Sequence, residues 1–456
     1  MKRIGKYIIR GLLGKGGMGR VYKAEIPTIG KIVALKLHRP DPLLEQIMGA
    51  EPLREQFIRE AKTMARIRHP HVVAVQDFDQ DRKGPFYTMD YHSNNLGAVL
   101  GETYRTEAPS RILRIDRAVD YTRQILSGLS CLHYWGIIHR DVKPFNMLID
   151  ETHRLQICDF GLSKRRGETF PGPSHLRVGS PFYTAPEQER HPDAVDTATD
   201  LYAVAVILYR MITGRLPVVQ PGGRIPPASR INKDLDEGWD QFLTRALASQ
   251  PDQRYPRAEA MAAELECQFQ HWQTHRAQAC RLPEKATPGQ GRRAAGEALE
   301  TPLRSQGIKV PPGEARDRFQ LDQLWRPHGY LRNTFKLLSP ELVRDTATGL
   351  TWQQSGSPYP LTWPQAHDYI ERLNRQRLGG RAGWRLPTIP ELITLVDPTS
   401  HGRDFCLAPL FDPNQRWLWS CDRSSFIAAW YVEVELGYVA WQDDSAGYYV
   451  RAVSSR

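Results

Sequence analysis

The feature that most constrains the fold is a glycine-rich stretch near the N-terminus that is followed by a strand rather than by a helix. The stretch GLLGKGGMGRVYKAE has the spacing G-x-G-x-x-G, formed by Gly14, Gly16 and Gly19. In a dinucleotide-binding unit the third glycine would open a helix. Here the β-branched and aromatic residues in 20–25 and in 7–10 predict a strand on each side. The glycines therefore lie in a hairpin turn, which fits a loop that covers phosphates and an ordinary glycine-rich hairpin equally well.

The length and the distribution of apolar residues exclude several classes of protein. A chain of 456 residues is too long for a single core and predicts two or three domains. The start MKRIGKYIIRGLLGKGG lacks the continuous apolar core of a signal peptide. The most apolar stretch, residues 201–216, is interrupted by Arg210 and Arg215 and is too short to cross a membrane. We therefore expect a cytoplasmic protein with no membrane partner.

Charge and cysteines point to a reduced protein with no nucleic-acid partner. The net charge of +10 is spread along the sequence, and no nucleic-acid motif accompanies it. The cysteines have no C-x-x-C spacing, which argues against a zinc site and a disulfide framework. Cys406 and Cys421 could lie near each other, but reduced thiols are the favoured interpretation. The cysteines are Cys131, Cys158, Cys267, Cys280, Cys406 and Cys421.

Periodicity and composition divide the chain into two domains and a linker. Short strands around one helix, residues 52–67, are predicted up to about residue 98, followed by helices at 117–134, 199–213 and 257–275. Residues 281–315 contain ten proline and glycine residues in 35 positions and few large apolar side chains, which predicts a flexible linker. A second packed domain then follows, rich in tryptophan. The expected domains are 5–275 and 321–456, joined by a linker at 276–320.

Further motifs follow the glycine loop in a fixed order. VALK ends in Lys36 on a predicted strand, HRDVKPFN begins at His139, DFG begins at Asp159, and APE ends at Glu187. With the glycine loop, they resemble the signature set of the protein kinase family over about residues 5–272. The stretches REA and GSPFYTAPEQ are most similar to the corresponding motifs of bacterial serine/threonine kinases of the eukaryotic type. The resemblance implies an α+β, two-lobed kinase fold, ATP and Mg²⁺ as cofactors, and protein substrates.

The resemblance assigns the chemistry to a small set of residues. Lys36 is expected to hold the α- and β-phosphates of ATP and to pair with Glu60, although Glu60 could also be a solvated helix charge. Asp141 is expected to orient the substrate hydroxyl and accept its proton, and Lys143 to neutralise the γ-phosphate. Asn146 and Asp159 are expected to hold Mg²⁺, since hard oxygen ligands suit this metal. The alternative for the last two is a structural role as buried capping residues.

The resemblance also implies an adenine site. Met89 is expected at the back of the pocket, with the Asp90 carbonyl and the His92 backbone at the adenine edge and the His92 side chain facing solvent. The ATP-binding residues implied in this way are Leu13, Gly14, Gly16, Gly19, Val21, Ala34, Lys36, Glu60, Met89, Asp90, His92 and Leu148.

The segment between DFG and APE is the expected site of regulation. A phosphate on this segment would pair with Arg140, which precedes the catalytic aspartate. The candidate phosphorylation sites are Thr169, Ser174 and Ser180, of which Ser180 is expected to position substrate instead. By the same resemblance, Asp200 holds the catalytic loop and Arg254 pairs with Glu187. Val142 and Phe145 are mild departures from the family pattern.

The C-terminal part resembles a second family. Through GWRLPT and the closing YYVRAV, residues 333–456 are similar to the Lcl C-terminal domain, a bacterial module grouped with folds like C-type lectins and formylglycine-generating enzymes. One helix at 363–373 and many short aromatic strands are expected. Loops at 422–429 and 442–448 are candidate sites for an unknown ligand or partner. Asp443 and Asp444 could suggest Ca²⁺, but a turn is the favoured interpretation.

These observations lead to two functional hypotheses. The first is a serine/threonine protein kinase with a C-terminal sensor or docking domain, in which the aromatic domain binds a ligand or a partner. The alternative is a nucleotide-dependent scaffold whose kinase fold acts as a switch. The intact set Lys36, Asp141, Asn146 and Asp159 argues for the first hypothesis.

Overall fold

The chain forms two compact units, Met1–Leu282 and Pro283–Arg456. The computed structural model describes residues 2–102, 108–160, 164–165, 182–191, 195–218, 225–279, 303–331, 333–396, 410–412 and 414–455, with 164–165 and 276–279 described for the backbone alone. Both units contain helices and strands, in agreement with the expected α+β class.

The first unit opens with a six-stranded antiparallel sheet in the order β1-β2-β3-β4-β6-β5. Gly16 pairs with Gly19 across the tip of the β2–β3 hairpin, so the glycines lie in a hairpin turn as predicted. Tyr7, Val33 and Phe86 pack in the core of this sheet. The elements are β1 (Arg3–Ile4), β2 (Tyr7–Gly16), β3 (Gly19–Ile26), β4 (Lys31–His38), α1 (Pro42–Met48), α2 (Ala50–Arg66), β5 (Val75–Asp81) and β6 (Gly84–Asp90).

Two helices stand where the sequence predicted one. Helix α1 begins with Pro42 in its first turn, and the Asp41 carboxylate accepts a hydrogen bond from the Leu43 N–H (3.0 Å). Gly49, at φ 83°, then separates α1 from α2. Helix α1 is seven residues long and buries none of them, so its apolar residues Leu43, Leu44, Ile47 and Met48 span less than two helical turns and were too few to predict a helix.

The rest of the first unit is mainly helical. Helix α6 (Thr197–Thr213) buries all of residues 198–213, in agreement with the apolar composition of this stretch. No helix within the described ranges combines the length and the apolar composition that a membrane span requires. The elements are β7 (Asn94–Asn95), α3 (Leu96–Leu100), α4 (Ile115–Tyr134), β8 (Ile137–Ile138), β9 (Met147–Ile149), β10 (Leu155–Ile157), β11 (Lys164–Arg165), α5 (Pro186–Arg190), α6 (Thr197–Thr213), α7 (Ala228–Ile231), α8 (Glu237–Ala246) and α9 (Ala258–Ala279).

The second unit contains two antiparallel sheets, β12-β13-β14-β18 and β15-β16-β17. Trp352, Trp419 and Trp430 are fully buried, so these tryptophans serve the core. The helix expected at 363–373 is present and extends to Gln376. The elements are α10 (Pro312–Phe319), β12 (Phe335–Ser339), β13 (Leu342–Asp345), β14 (Thr351–Gln353), α11 (Trp363–Gln376), α12 (Ile389–Thr394), β15 (Trp417–Arg423), β16 (Ala428–Glu433), β17 (Tyr438–Asp443) and β18 (Val453–Ser454).

Residues 303–320 belong to the second unit, whereas the sequence placed them in a flexible linker. The Val310 carbonyl accepts a hydrogen bond from Trp430 Nε1 (2.9 Å), and the Phe319 ring meets the Trp430 ring edge to face. Arg304 Nη1 donates to Asp422 Oδ1 at 2.6 Å. Val310, Ala315 and Phe319 of this segment are thus buried despite its proline and glycine content. Residues 280–302 of the predicted linker lie outside the described residues.

Candidate active site

The strands of the first sheet bring the predicted nucleotide-binding residues together. Strand β3 places Val21 opposite Lys36 on β4, and β4 places Ala34 opposite Met89 on β6. Ala34 and Met89 are buried. Leu148 lies on β9, beside β7 and β10. The pairing of these antiparallel strands therefore brings the glycine hairpin, Lys36 and Met89, at the back of the predicted adenine pocket, into one sheet.

The glycines of the hairpin differ in what surrounds them. A Cβ at Gly19 would lie 2.3 Å from the carbonyl oxygen of Leu37, so the packing of β3 against β4 excludes a side chain there. A Cβ at Gly14 or Gly16 would meet no atom within 4 Å. Packing within the protein therefore explains Gly19, and leaves Gly14 and Gly16 open to the approach of a ligand.

Lys36 lies at the centre of a buried charge network. Its Nζ donates to Glu60 Oε1 at 2.8 Å and to Asp159 Oδ1 at 2.9 Å. The Tyr87 hydroxyl donates to the same Glu60 oxygen at 3.0 Å. Glu60 is buried on α2, so it is not a solvated helix charge. The pair that the sequence predicted is present, and the contact of Lys36 with Asp159 adds a third member that motif spacing did not indicate.

The network fixes the charges of its members. Burial alone would lower the pKa of Lys36, but the carboxylates of Asp159 and Glu60 raise it well above its usual value. In return, the Lys36 ammonium lowers the pKa of Asp159 to about 2, although burial opposes this shift. The Asp159 side chain is 45% exposed, so its charged carboxylate remains accessible to a ligand.

The catalytic-loop motif forms a second cluster. Lys143 Nζ donates to Asp141 Oδ2 at 2.7 Å. Asn146 Nδ2 donates to the Asp141 carbonyl at 2.8 Å and to Asp141 Oδ2 at 3.1 Å. Asp141 and Asn146 are buried, while Lys143 is partly exposed. The loop thus presents one carboxylate and one ammonium group side by side.

Asp200 on α6 holds the backbone of the catalytic-loop motif in place. Its carboxylate accepts hydrogen bonds from the backbone N–H groups of His139 (2.9 Å) and Arg140 (2.8 Å). His133 Nε2 lies 2.8 Å from the same carboxylate. Burial would raise the pKa of Asp200, but these hydrogen bonds lower it, so Asp200 stays ionised. This is the structural position that the sequence predicted for Asp200.

Two residues of the site have strained backbones. Arg140 has φ 67° and Asp159 has φ 65°, in the left-handed region that residues with a Cβ rarely adopt. Both lie next to or within the predicted catalytic and metal-binding motifs. Such strain persists where the surrounding structure fixes it, which is common at functional sites.

The residues predicted to hold a metal fit a magnesium ion bound together with phosphates. Asn146 uses its amide nitrogen toward Asp141, so its amide oxygen remains as a ligand atom. Asp159 supplies an ionised, partly exposed carboxylate. Among the described residues, no group of three or more His, Cys, Asp or Glu side chains is placed to hold a metal. Mg²⁺ is typically bound by one or two protein oxygens plus substrate phosphates, which matches this sparse set.

The entrance of the pocket departs from expectation at His92. Its side chain is half-buried rather than solvent-facing, and burial lowers its pKa while the charge of Asp150 partly opposes this shift. His92 lies in the short connection between β6, which ends at Asp90, and β7, which begins at Asn94. Leu13, on the glycine hairpin, is exposed, as is Asp90 at the end of β6.

The structure adds partners that lie far apart in sequence. Gln188 Nε2 donates to the Arg140 carbonyl at 2.9 Å, and the Tyr183 hydroxyl donates to Glu102 Oε1 at 3.2 Å. No motif spacing could have indicated these contacts. Arg254 and Glu187 form a bidentate ion pair, with both N–O distances at 2.7 Å, as the sequence predicted. Thr169, Ser174 and Ser180 lie outside the described residues.

In the second unit, the acidic side chains of the two candidate ligand loops bind other groups of the protein. Asp443 Oδ1 accepts a hydrogen bond from the Ser445 N–H (3.0 Å), which is the geometry of a turn. Asp444 Oδ2 lies 3.2 Å from Arg423 Nη2. Asp422 is fully buried and paired with Arg304, so the first candidate loop does not offer this carboxylate to a ligand.

Comparisons with known proteins match both parts of the chain. A family model described as the protein kinase domain matches residues 7–265, more than half of the chain. A second family model, described as the Lcl C-terminal domain, matches residues 341–454. Both resemblances read from the sequence are confirmed. The segment 303–340, which belongs to the same structural unit, lies before the second match.

Curated relatives are similar over the first part of the chain. Serine/threonine-protein kinase pkn3 of Myxococcus xanthus is 35% identical over 282 residues, covering 57% of this chain and 49% of that protein. Serine/threonine-protein kinase PksC of Streptomyces coelicolor is 30% identical over 338 residues, covering 69% and 57%. The solved Mycobacterium tuberculosis PknI kinase domain aligns at 25% identity and a TM-score of 0.44, covering 59% of this chain and 98% of that one. The chain spans about half the length of the curated relatives it matches.

Proposed function

Because this chain belongs to the protein kinase family through residues 7–265, we propose that it transfers the γ-phosphate of ATP to serine or threonine hydroxyls of proteins. The observation that carries this proposal is the proximity of two charge clusters, whose segments are joined by a hydrogen bond from the Cys158 N–H to the Asn146 carbonyl at 3.0 Å. Lys36 lies 2.8 Å from Glu60 and 2.9 Å from Asp159. The other cluster joins Asp141 to Lys143 at 2.7 Å. Phosphoryl transfer depends on positioning and charge stabilisation, which such clusters supply.

Each cluster has a separate task in this proposal. Lys36, held in place by Glu60, binds the α- and β-phosphates beneath the glycine hairpin. Asp141 orients the acceptor hydroxyl and accepts its proton, and Lys143 neutralises charge on the transferred phosphoryl group. Asp159 and Asn146 would hold Mg²⁺, which would supply positive charge to neutralise the phosphates. Asp200 acts through the backbone of the catalytic loop and is a positioning residue.

The acceptor class and the cellular location are finer parts of the proposal. The curated relatives are named serine/threonine-protein kinases, and Lys143 two residues after Asp141 is typical of that class. A cytoplasmic location fits the use of ATP. Four cysteines of the described residues, Cys131, Cys158, Cys267 and Cys421, are free thiols, which suits a reducing compartment. We propose further that the C-terminal domain binds a ligand or partner that adjusts kinase output.

The experiment that tests the kinase assignment compares phosphate incorporation by the wild-type chain with that by Lys36→Met, Asp141→Asn and Asp159→Asn. Each variant should lose several orders of magnitude in rate, because it removes a charge that positions the reactants or stabilises the transition state. Each factor of ten in rate corresponds to about 1.4 kcal/mol of transition-state stabilisation. Phosphoamino-acid analysis of the product should find phosphoserine or phosphothreonine. Circular dichroism must show that each variant is folded.

Two outcomes would contradict the assignment. Residual activity within about threefold of wild type in any folded variant would remove its residue from the mechanism. Binding of ATP without any transfer to protein by the wild-type chain would favour the scaffold alternative instead.

A further inference from the structure

Helix α9, at the end of the first unit, carries two histidines one helical turn apart. His271 and His275 are both exposed, and their ring centroids lie 4.3 Å apart with the ring planes tilted by 48°. Residues four positions apart lie on the same face of a helix, with their Cβ atoms about 5–6 Å apart. The proposed phosphoryl transfer uses neither ring.

The opposite face of α9 fixes the direction in which this pair points. Phe269 and Trp272 are buried, and their rings stack with centroids 5.9 Å apart. Trp272 Nε1 donates to the Asp234 carbonyl at 2.6 Å. Gln268 Nε2 donates to Asp236 Oδ1 at 2.8 Å. Because these contacts hold α9 in one rotational setting, the two imidazoles are positioned on its solvent side before any ligand binds.

The polar side chains around the pair bond to one another. Gln270 Nε2 donates to Glu266 Oε1 at 2.8 Å, and Glu266 also forms an ion pair with Arg123 on α4. The Thr274 hydroxyl donates to the Gln270 carbonyl at 2.9 Å. Within the described ranges, each of the two imidazoles contacts the other ring, and its nitrogens stay available to a ligand.

The chemistry of the pair suits a transition metal rather than Mg²⁺. Imidazole nitrogen binds Zn²⁺, Ni²⁺ and Cu²⁺, whereas Mg²⁺ and Ca²⁺ prefer oxygen ligands. Two nitrogens that bind one tetrahedral ion at about 2.0–2.1 Å lie roughly 3.3 Å from each other. Rings whose centroids are 4.3 Å apart can reach this geometry by side-chain rotation. The same spacing of two histidines on a helix holds zinc in the H-E-x-x-H motif.

We infer that His271 and His275 form a two-histidine chelate for Zn²⁺ or a similar divalent transition metal on the outer face of α9. No group of three or more His, Cys, Asp or Glu side chains is placed to hold a metal among the described residues, so water fills the other coordination positions. The bound ion joins two successive turns and stabilises the end of the helix. The site uses no residue of the proposed active site and does not depend on the proposed phosphoryl transfer.

The test has to separate the imidazoles from a nearby thiol. Cys267 is an exposed free cysteine one turn before His271, and its sulfur could replace an imidazole. The reference protein is therefore the full-length chain with Cys267→Ser. It is titrated calorimetrically with Zn²⁺, without ATP and in an excess of Mg²⁺ that occupies the oxygen ligands of the proposed active site.

The reference protein should bind one equivalent of Zn²⁺ that requires both histidines. Adding His271→Ala or His275→Ala should weaken this binding by at least about tenfold. His191→Ala, at an exposed histidine after α5, is the matched control and should leave the affinity unchanged. Zn²⁺ should also raise the Tm of the reference protein and not that of the His271→Ala or His275→Ala variant, because only the former binds the metal in its folded state.

Two further variants test the helical geometry. In a His275→Ala background, Cys267→His recreates the spacing of four positions with His271 and should restore Zn²⁺ binding. Gln273→His, in the same background with Cys267→Ser, places an imidazole two positions from His271 on a different face of the helix and should not restore it.

Three outcomes would overturn the site. They are a reference protein that binds no Zn²⁺, an affinity that His271→Ala and His275→Ala leave unchanged, and equal restoration by Cys267→His and Gln273→His. Because binding is measured without ATP, each of these outcomes leaves the kinase assignment intact.

Discussion

At the scale of single residues, the glycines of the β2–β3 hairpin are explained by different physical causes. Gly19 cannot carry a side chain because its Cβ would lie 2.3 Å from the Leu37 carbonyl oxygen. Gly16 has open space around it. A motif read from sequence treats the two positions alike, but only one of them is required by the fold. The other is explained by the phosphates that we propose to lie beneath the hairpin.

This difference gives a prediction for two matched substitutions. Gly19→Ala should lower the free energy of unfolding by about 1–3 kcal/mol, since it forces the β3–β4 pair apart. Gly16→Ala should change it by less than about 1 kcal/mol and should instead weaken ATP binding by roughly tenfold. Urea unfolding and calorimetric titration with ATP measure the two effects. Equal destabilisation by both substitutions would contradict the assignment of Gly16 to ligand binding.

Asp159 leads to a prediction about pH. Because Lys36 lowers its pKa in the folded protein to about 2, below the roughly 3.9 of an unfolded chain, its charge stabilises the fold fully above that higher value. The stabilisation is lost as the pH falls from about 5 toward 2. Wild type should therefore lose stability relative to Asp159→Asn over this range. Urea unfolding of both proteins at stepped pH measures the difference, and a difference that stays constant down to pH ~3 would contradict the coupling.

At the scale of elements, predictability follows length and burial. The long helices α4, α6 and α9 were predicted within a few residues because α4 and α9 have apolar residues at helical spacing and α6 is apolar over most of its length. Helices α1 and α12 were missed because they are only seven and six residues long, although Thr388 and Glu391 form a capping box that marks the start of α12 in the sequence. The motif residues of the site were predictable. Contacts such as Gln188 with Arg140 were not, since they join segments 48 positions apart.

The ion pair between Arg254 and Glu187 supports a prediction about how helix α5 is anchored. Arg254 is fully buried and binds both oxygens of Glu187 at 2.7 Å. Its charge keeps the pKa of Glu187 low although burial would raise it. Arg254→Ala leaves a largely buried carboxylate unpaired and should cost about 3–5 kcal/mol in the free energy of unfolding.

A matched control lies on the same helix. Arg190 is exposed in the last turn of α5, so Arg190→Ala should stay within about 0.5 kcal/mol of wild type. Chemical unfolding of both variants provides the comparison. A loss of less than about 1 kcal/mol for Arg254→Ala would show that the pair does not anchor α5.

At the scale of the whole molecule, the boundary of the second domain differs from the matched family region. The match begins at residue 341, but Val310, Ala315 and Phe319 are part of the same buried core. We predict that a fragment 303–456 folds cooperatively and that a fragment 341–456 does not, because the latter exposes Trp430 and leaves Asp422 without Arg304. Near-ultraviolet circular dichroism and thermal unfolding test both fragments. Equal stability of the two would contradict a structural role for 303–340.

The coupling of the two domains is the remaining prediction for the whole molecule. Because the two domains are parts of one chain, each is present at the other at an effective concentration that depends on the length of the chain between them. We therefore predict that truncation at Arg281 leaves a chain that still transfers phosphate from ATP but differs from full length in substrate choice or basal rate.

Comparative phosphoproteomics of cells expressing either form, with Asp141→Asn as the inactive reference, measures this difference. The rate on a short peptide should change less than the rate on native protein substrates, because only the latter are large enough to contact both domains. A variant of the second domain that keeps its fold, such as Phe426→Ser at an exposed loop tip, separates loss of a binding surface from loss of the domain. If truncated and full-length chains match in rate, in substrates and in recovered partners, the C-terminal domain has no role in kinase output.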